Sequence, residues 1–198
     1  MSQDDIRRQI VGRGIPLPGN DIDTDRILPG RYLKNVTFEG LEAHVFGDDR
    51  REKPDHPFDQ ARYRGATILV VGLNFGCGSS REQAPEALRR RGIRGMVGES
   101  FAEIFFGNCT ALGLPCLTAS AEDAGWLMPA VVRQPEGEIL LDVENRLVRF
   151  GERTFPATIP DGARSQLLTG TWNATPVLLQ AGEEIERVAR SLPYLTGY

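Results

Sequence analysis

The spacing of apolar and polar positions predicts a β-α-β-α-β unit in the middle of the chain. Residues 67–73 form a short apolar run rich in β-branched side chains, which is typical of a buried strand. We predict a helix over 84–91, a strand at 96–97, a second helix that ends at Gly113, and a strand over 115–118. Strands that alternate with helices in this way require right-handed crossovers and form a parallel sheet.

Local signals mark the ends of the two central helices. Pro85 lies near the start of the first helix and Gly92 just past its end. Ser100 and Glu103 have the spacing of a capping box, in which a serine and a glutamate satisfy the first N–H groups of a helix. We therefore expect the second helix to open at this box.

Mixed β structure is predicted on both sides of this centre. Residues 10–17 are apolar and rich in glycine, which favours short strands and loops. Residues 47–57 carry many charges around a proline and predict an exposed, mobile loop. Residues 138–150 predict a hairpin, and apolar positions over 180–192 recur at nearly helical spacing, which predicts a surface helix.

These elements predict one α/β domain over residues 1–198. Its core would span about residues 10–120, and its C-terminal hairpin and helix would lie within 121–198. The centre is a parallel β-α-β-α-β unit, and the flanks are mixed β structure.

Charge and cysteine content narrow the classes of function. The 23 lysines and arginines against 27 aspartates and glutamates give a net charge of -4, which argues against a general nucleic-acid binder and a polybasic membrane-surface protein. Residues 1–8 are polar and the chain has no long apolar run, so we expect a cytoplasmic protein with no membrane segment. Its three cysteines and two histidines lack the spacing of a metal or cluster site, so any metal would come from another chain.

The loop Gly76-Cys77-Gly78-Ser79-Ser80-Arg81-Glu82 joins a predicted strand to a predicted helix. Backbone N–H groups at such a turn surround one concave spot and bind anions. The glycines allow close approach, the serines offer hydroxyls, and Arg81 can hold a carboxylate through two parallel hydrogen bonds. The loop therefore predicts a site for a phosphate or a carboxylate.

Other interpretations of this loop remain open. Ser79 with Glu82, or Ser80 with Gln83, also fits a capping box. A dinucleotide site is disfavoured because Arg81 stands where the third glycine of that motif belongs, and the ending of a Walker-type loop is absent. Cys77 precedes a helix, where a thiolate is favoured, although a small residue packed beneath the loop is the preferred interpretation.

Several ordered motifs resemble one family. They are residues 21–25, 27–29 and 31–33, then 74–82, then 98–108, and less specifically 168–172. Together they are similar to the small subunit of 3-isopropylmalate dehydratase, which is equivalent to the fourth domain of aconitase. The resemblance covers roughly residues 12–118. It implies the swivelling β/β/α domain of that superfamily.

The resemblance also implies an activity and a partner. The expected enzyme is a hydro-lyase that interconverts 2-isopropylmalate and 3-isopropylmalate through 2-isopropylmaleate in leucine biosynthesis. It would be active only with a large subunit, in a heterodimer or heterotetramer, and that partner would hold a [4Fe-4S] cluster. Homoaconitase or another malate-type dehydratase is the nearest alternative. A stand-alone anion- or nucleotide-binding module is the alternative from a different class.

Residue roles carry over from the resemblance position by position. Ser79 matches the catalytic serine that removes a proton from carbon. Asp25 matches a catalytic acid of the site that would orient a residue of the partner, although a turn cap is its alternative role. Ser80, Arg81 and Gly78 would bind the dicarboxylate substrate.

A second group of residues aligns with the loop that meets the variable group of the substrate. Val36, Phe38 and Leu41 would face an isopropyl group, whereas Lys34 would suit a third carboxylate. One position departs from the family: Gln83 stands where a histidine is usual, so a proton-transfer role there is in doubt.

Overall fold

A seven-stranded sheet organises the part of the chain that the structure describes. The computed structural model describes residues 5–34, 38–79, 81–173, 181–192 and 194. The strands are β1 (Gln9–Pro16), β2 (Ile68–Val71), β3 (Gly95–Gly98), β4 (Cys116–Thr118), β5 (Glu138–Asp142), β6 (Leu147–Phe150) and β7 (Arg153–Pro156). Their order across the sheet is β4-β3-β2-β1-β5-β6-β7.

Seven α-helices and several short 3-10 helices are described. The α-helices are α1 (Thr24–Ile27), α2 (Gly47–Glu52), α3 (Gln83–Arg90), α4 (Glu103–Ala111), α5 (Ala121–Arg133), α6 (Asp161–Thr169) and α7 (Gly182–Ser191). The 3-10 helices are Gly30–Lys34, Leu41–His44, Pro57–Asp59 and Ala61–Tyr63. Across these ranges, no helix has the length and apolar character needed to cross a membrane.

The parallel centre is confirmed. β1, β2, β3 and β4 pair in parallel, and α3 and α4 connect the last three of these strands. Every residue of β2 and β3 is buried, as expected for strands covered on both faces. On its other side β1 pairs antiparallel with β5, and β5, β6 and β7 continue as an antiparallel meander that contains the expected hairpin.

Helix α5 covers the junction between the two halves of the sheet by packing on β1 and β2. Gly14 of β1 allows this approach, because a Cβ there would lie 2.8 Å from Cδ1 of Ile139 and 3.0 Å from Cγ1 of Val131. Contacts between apolar groups at such distances leave no room for a larger residue. The glycine in this strand therefore brings helix and sheet together.

The prediction of a loop over residues 47–57 was wrong for its first half, which is helix α2. Its charges are paired with other parts of the fold. The guanidinium of Arg26 donates to Asp49 at 2.7 Å, and Arg50 donates to Asp59 through Nε at 2.9 Å. These ion pairs fix the segment against the rest of the fold, although its composition alone predicts a loop.

The expected capping box at the start of α4 was also wrong. The helix begins at Glu103 and its N-cap is Ala102, which makes no side-chain cap hydrogen bond. Ser100 instead contacts the segment that follows β2: its hydroxyl accepts a hydrogen bond from the backbone N–H of Asn74 at 2.7 Å. The ends of the central helices were predicted better: Gly92 and Gly113 follow them with φ of +104° and +67°.

Candidate active site

Three loops meet at the carboxyl edge of the parallel strands, where ligands bind in open α/β sheets. They follow β1, β2 and β3, and we call the middle one, residues 72–82, the β2 loop. On one side Gly76 N–H donates to the carbonyl of Ile22 at 2.8 Å, and Thr24 N–H donates to the carbonyl of Cys77 at 2.9 Å. On the other side Phe75 N–H donates to the carbonyl of Ser100 at 3.0 Å. The loop is therefore fixed by both neighbours.

Glycine is required at two points of the β2 loop. Gly76 has a φ of +81°, and a Cβ there would lie 2.2 Å from Cγ of Phe105 in α4. Gly78 has a φ of +90°, a backbone conformation that L side chains rarely adopt. The chain turns sharply at these residues and exposes the backbone that follows.

The tip of the β2 loop presents unused donors. Gly78 and Ser79 are exposed, and their N–H groups donate to no acceptor in the described part of the chain. The hydroxyl of Thr24 donates to the carbonyl of Ser79 at 3.1 Å, which ties the loop to α1. Exposed N–H groups with no protein acceptor are the arrangement that receives an anion.

The capping interpretation is wrong for Ser79. Helix α3 begins at Gln83, and its N-cap is Glu82, which makes no side-chain cap hydrogen bond. Ser80 lies outside the described residues, so its alternative capping role stays a prediction. Ser79 therefore stands in the loop before the helix, with its side chain exposed.

Cys77 does not have the environment of a reactive thiolate. It is half-buried, and burial raises its pKa, as do the nearby carboxylates of Asp23 and Asp21. A raised pKa keeps the thiol protonated at neutral pH. The structure thus favours the interpretation of Cys77 as a small packed residue of the loop.

Asp25 and Arg81 form an ion pair between α1 and the β2 loop. Nη2 of Arg81 donates to Oδ2 of Asp25 at 2.8 Å, and Nη1 donates to Oδ1. The hydrogen bond from Arg81 is the main cause that lowers the pKa of Asp25 below its ordinary value, against a smaller effect of burial. The turn-cap alternative for Asp25 is wrong, because the N-cap of α1 is Asp23, which accepts from Arg26 N–H at 2.8 Å.

Gly30 is a residue of this site that the sequence did not single out. Its backbone N–H is near the Asp25 carboxylate and contributes a little to lowering the pKa of that group. A Cβ at this position would lie 3.2 Å from Oδ1 of Asp25 and 3.6 Å from Nη1 of Arg81. The only available signal was a glycine directly after Leu28-Pro29, which also fits an ordinary turn.

The residues expected to meet the substituent of the substrate pack in or against the core, or lie outside the described region. Phe38 is half-buried against the core and lines a cavity of about 280 Å³ between α3 and α4. Leu41 is only 1% exposed and belongs to the core, so the prediction that it faces a substituent was wrong. Val36 and the side chain of Lys34 lie outside the described residues.

The cysteines do not converge on a metal site. Cys109 and Cys116 are buried, and burial raises the pKa of Cys109 well above its ordinary value. Among the residues with described positions, no group of three or more His, Cys, Asp or Glu side chains could hold a metal ion. The described residues thus do not fit a cluster held by this chain alone.

Comparison with known proteins decides the family. A model of the aconitase C-terminal domain matches residues 16–122. The 3-isopropylmalate dehydratase small subunit of a Thermus thermophilus strain is 52% identical over an alignment of 190 positions that covers 93% of this chain and 94% of that protein. The chain belongs to the 3-isopropylmalate dehydratase small-subunit family. The small subunit of this dehydratase from Synechocystis is 49% identical over 95% of this chain and 94% of its own length.

A solved structure supports the fold of this small-subunit family. The 3-isopropylmalate dehydratase structure from Methanocaldococcus jannaschii matches with a TM-score of 0.67 and 28% identity, over 88% of this chain and 99% of that one. The resemblance found from the motifs is confirmed, as is the expected fold class. The family name also confirms the expected hydro-lyase class, and the relatives are named as small subunits.

Proposed function

We propose that this chain and a large subunit interconvert 2-isopropylmalate and 3-isopropylmalate through 2-isopropylmaleate, in the leucine pathway of the cytoplasm. The observation that carries the proposal is the exposed tip of the β2 loop beside the anchored Arg81. Both lie within residues 16–122, the region that matches the aconitase C-terminal domain. The exposed tip is half of a site, and the other half belongs to the partner.

The substrate is a dicarboxylate, and the β2 loop offers the groups that bind one. Arg81 supplies a planar set of donors that matches a carboxylate. Gly78 contributes an exposed N–H, and Ser80 contributes its hydroxyl. A hydrogen bond between a charged group and its partner contributes about 1.5 to 3 kcal/mol, so a few such contacts suffice to orient the substrate.

Ser79 is the proposed base that removes the proton from carbon. A serine hydroxyl is a weak base, so negative charge on Ser79 must be stabilised by its surroundings. The N–H groups of Gly78 and Ser79, which have no acceptor among the described residues, are proposed to provide fixed dipoles at that point. When the partner is bound, its [4Fe-4S] cluster supplies Lewis-acid polarisation of the hydroxyl that leaves.

The loop over residues 31–40 is proposed to select the variable group of the substrate. Val36 and Phe38 suit an isopropyl group, whereas Lys34 would suit an additional carboxylate. Gln83, the first residue of α3, is half-buried and cannot titrate. A proton relay through that position is therefore not part of the proposal.

The chain should be purified with its large subunit, in a heterodimer or heterotetramer, and the cluster reconstituted without oxygen. Formation of the alkene intermediate from 3-isopropylmalate is followed by ultraviolet absorbance. Turnover of isopropylmalate supports the proposal. Turnover of a tricarboxylate homologue instead would favour homoaconitase, and tight binding of NAD or phosphate by the isolated chain would favour a stand-alone module.

Two substitutions test the roles of the loop residues. Ser79→Ala should lower kcat by about 10²- to 10⁴-fold with unchanged stability, because a positioned base contributes that much. Arg81→Lys should raise KM, because a point charge cannot reproduce the planar set of donors. Ser165→Ala and Arg149→Lys, at exposed positions of α6 and β6, are the matched controls and should leave both constants unchanged.

A further inference from the structure

The Asp25–Arg81 pair uses only part of the hydrogen-bonding capacity of Arg81. A guanidinium carries its N–H donors in one rigid plane. Asp25 takes one donor from Nη1 and one from Nη2, at the far end of the group. The Nε–H has no acceptor among the residues whose positions are described. The Nε–H is parallel to the second N–H of Nη2. These two donors form a second pair along the Nε–Nη2 edge of the guanidinium.

The geometry of the pair suits the positioning of the Arg81 guanidinium better than the stabilisation of the fold. The Asp25 side chain is 56% exposed, whereas the Arg81 side chain is 16% exposed. Ion pairs at such exposed positions contribute about 1 kcal/mol or less to stability. Two parallel hydrogen bonds nevertheless fix the plane of the guanidinium, which a single contact would leave free to rotate.

Gly30 keeps space open beside this pair. Its φ is not in the left-handed region, so its backbone conformation does not require glycine. A Cβ at Gly30 would lie 3.2 Å from Asp25 Oδ1, 3.6 Å from Arg81 Nη1 and 3.9 Å from Arg81 Nη2. The first distance is tighter than ordinary van der Waals contact, so the Asp25 carboxylate would have to shift by a few tenths of an ångström to admit a side chain here.

We propose that Asp25 and Gly30 are positioning residues that hold Arg81 so that its Nε–H and outer Nη2–H receive a substrate carboxylate. Asp25 holds the far end of the guanidinium, and Gly30, which has no Cβ, leaves the pair undisturbed. This inference rests on the proposed function. It reassigns Asp25 from orienting a residue of the partner to supporting a substrate-binding residue of this chain.

The charge of Asp25 agrees with this role. The hydrogen bond from Arg81 holds the pKa of Asp25 below its ordinary value, so the carboxyl group is ionised at neutral pH. An ionised carboxylate supports Arg81 and has no proton to donate. Asp25→Asn removes the charge but keeps one oxygen that can accept from Arg81, whereas Asp25→Ala removes both contacts.

The test uses the reconstituted complex with its large subunit and 3-isopropylmalate. Asp25→Ala should raise KM by about 10- to 100-fold with a much smaller change in kcat, because a misplaced binding group weakens binding first. Asp25→Asn should recover a substantial part of the loss, and its pH profile should keep the acid limb of the wild type. An Asp25→Asn variant with a wild-type KM and a kcat as low as that of Asp25→Ala would overturn the proposal.

Gly30→Ala should also raise KM, whereas Gly125→Ala, where nothing lies within 4 Å of the added Cβ, should not. Asp161→Asn, which alters the surface ion pair with Arg146, controls for loss of a charge. Equal kinetics for Gly30→Ala and Gly125→Ala would overturn the role of Gly30. An inactive wild-type complex would instead overturn the proposed function, and urea unfolding of each variant separates kinetic effects from loss of the fold.

Discussion

Asn74 donates its side-chain amide to the carboxylate of Asp21 at 2.7 Å, and both residues have left-handed backbone with a φ of +53°. Asparagine and aspartate are the non-glycine residues that tolerate this conformation best. The contact joins the loop after β1 to the β2 loop, and Asp21 N–H also donates to the carbonyl of Leu73 at 2.9 Å. Two strained residues thus support each other next to the candidate site.

Substitution of Asn74 separates the backbone strain from the hydrogen bond. Asn74→Ala keeps the left-handed φ and loses the amide, so it should lower the free energy of unfolding by about 2 to 3 kcal/mol. Asn74→Gly relieves the strain and loses only the hydrogen bond, so its cost should be about 1 kcal/mol. Urea unfolding measures both. Equal losses in the two variants would show that the strain at this position is unimportant.

Gly76 should be among the positions in the loop that tolerate substitution least. Gly76→Ala adds strain at a φ of +81° and a clash with Phe105, whose Cγ would be 2.2 Å away. We expect a loss of about 2 to 5 kcal/mol in urea unfolding. Gly151→Ala is the matched control, because its φ is +59° and nothing lies within 4 Å of the added Cβ. A similar loss at both positions would mean that the clash contributes nothing.

The sequence predicted the β2-α3-β3-α4-β4 centre because its signals are local. Each strand is an apolar run, and a glycine follows each helix. No element was predicted for α5, which contains Gly125 and Pro129, residues that normally interrupt helices. Helix α6 and strand β7 were also missed, since short segments of mixed polarity show little periodicity.

The part of the candidate site that was predicted also depends on local signals. The loop around Ser79 has a local motif, and the structure places it at the carboxyl edge of the sheet. The contact of Asp25 with Arg81 spans 56 positions, and no local pattern shows which charge an arginine will meet. The role of Gly30 depends on that contact and was therefore hidden as well. Helix α2 was misread because its charges are neutralised only in the folded chain.

Cys77 is expected to react slowly with alkylating reagents at neutral pH. Burial and the carboxylates of Asp23 and Asp21 raise its pKa, so the thiolate fraction grows only at a pH above the usual range of a thiol. Alkylation with iodoacetamide across a pH series, read by mass spectrometry, measures this. Cys109 and Cys116 are buried and should be labelled only after unfolding in urea. Labelling of Cys77 at neutral pH as fast as that of a free thiol peptide would contradict the prediction.

We predict that Glu86 makes the stability of the chain depend on pH. It is only 4% exposed, and its carboxylate accepts from Nε of Arg89 at 2.8 Å and from Nε of Arg90 at 2.7 Å. Burial alone would raise the pKa of Glu86, but the hydrogen bonds from the two arginines bring it below its ordinary value. A carboxyl group with a lowered pKa stabilises the fold above its ordinary pKa, and this contribution is lost as the pH falls through the folded-state value.

Glu86→Gln should therefore lower the free energy of unfolding by about 1 to 3 kcal/mol at about pH 7, and by less at about pH 3, where the stabilising contribution of the wild-type carboxylate is being lost. Urea unfolding at the two pH values measures the difference. Glu152→Gln, on the exposed turn between β6 and β7, is the control and should change little at either pH. Because the amide and the acid have nearly the same shape, packing should change little; if Glu86→Gln destabilised the chain equally at both pH values, the charge of Glu86 would not be the cause and the prediction would be wrong.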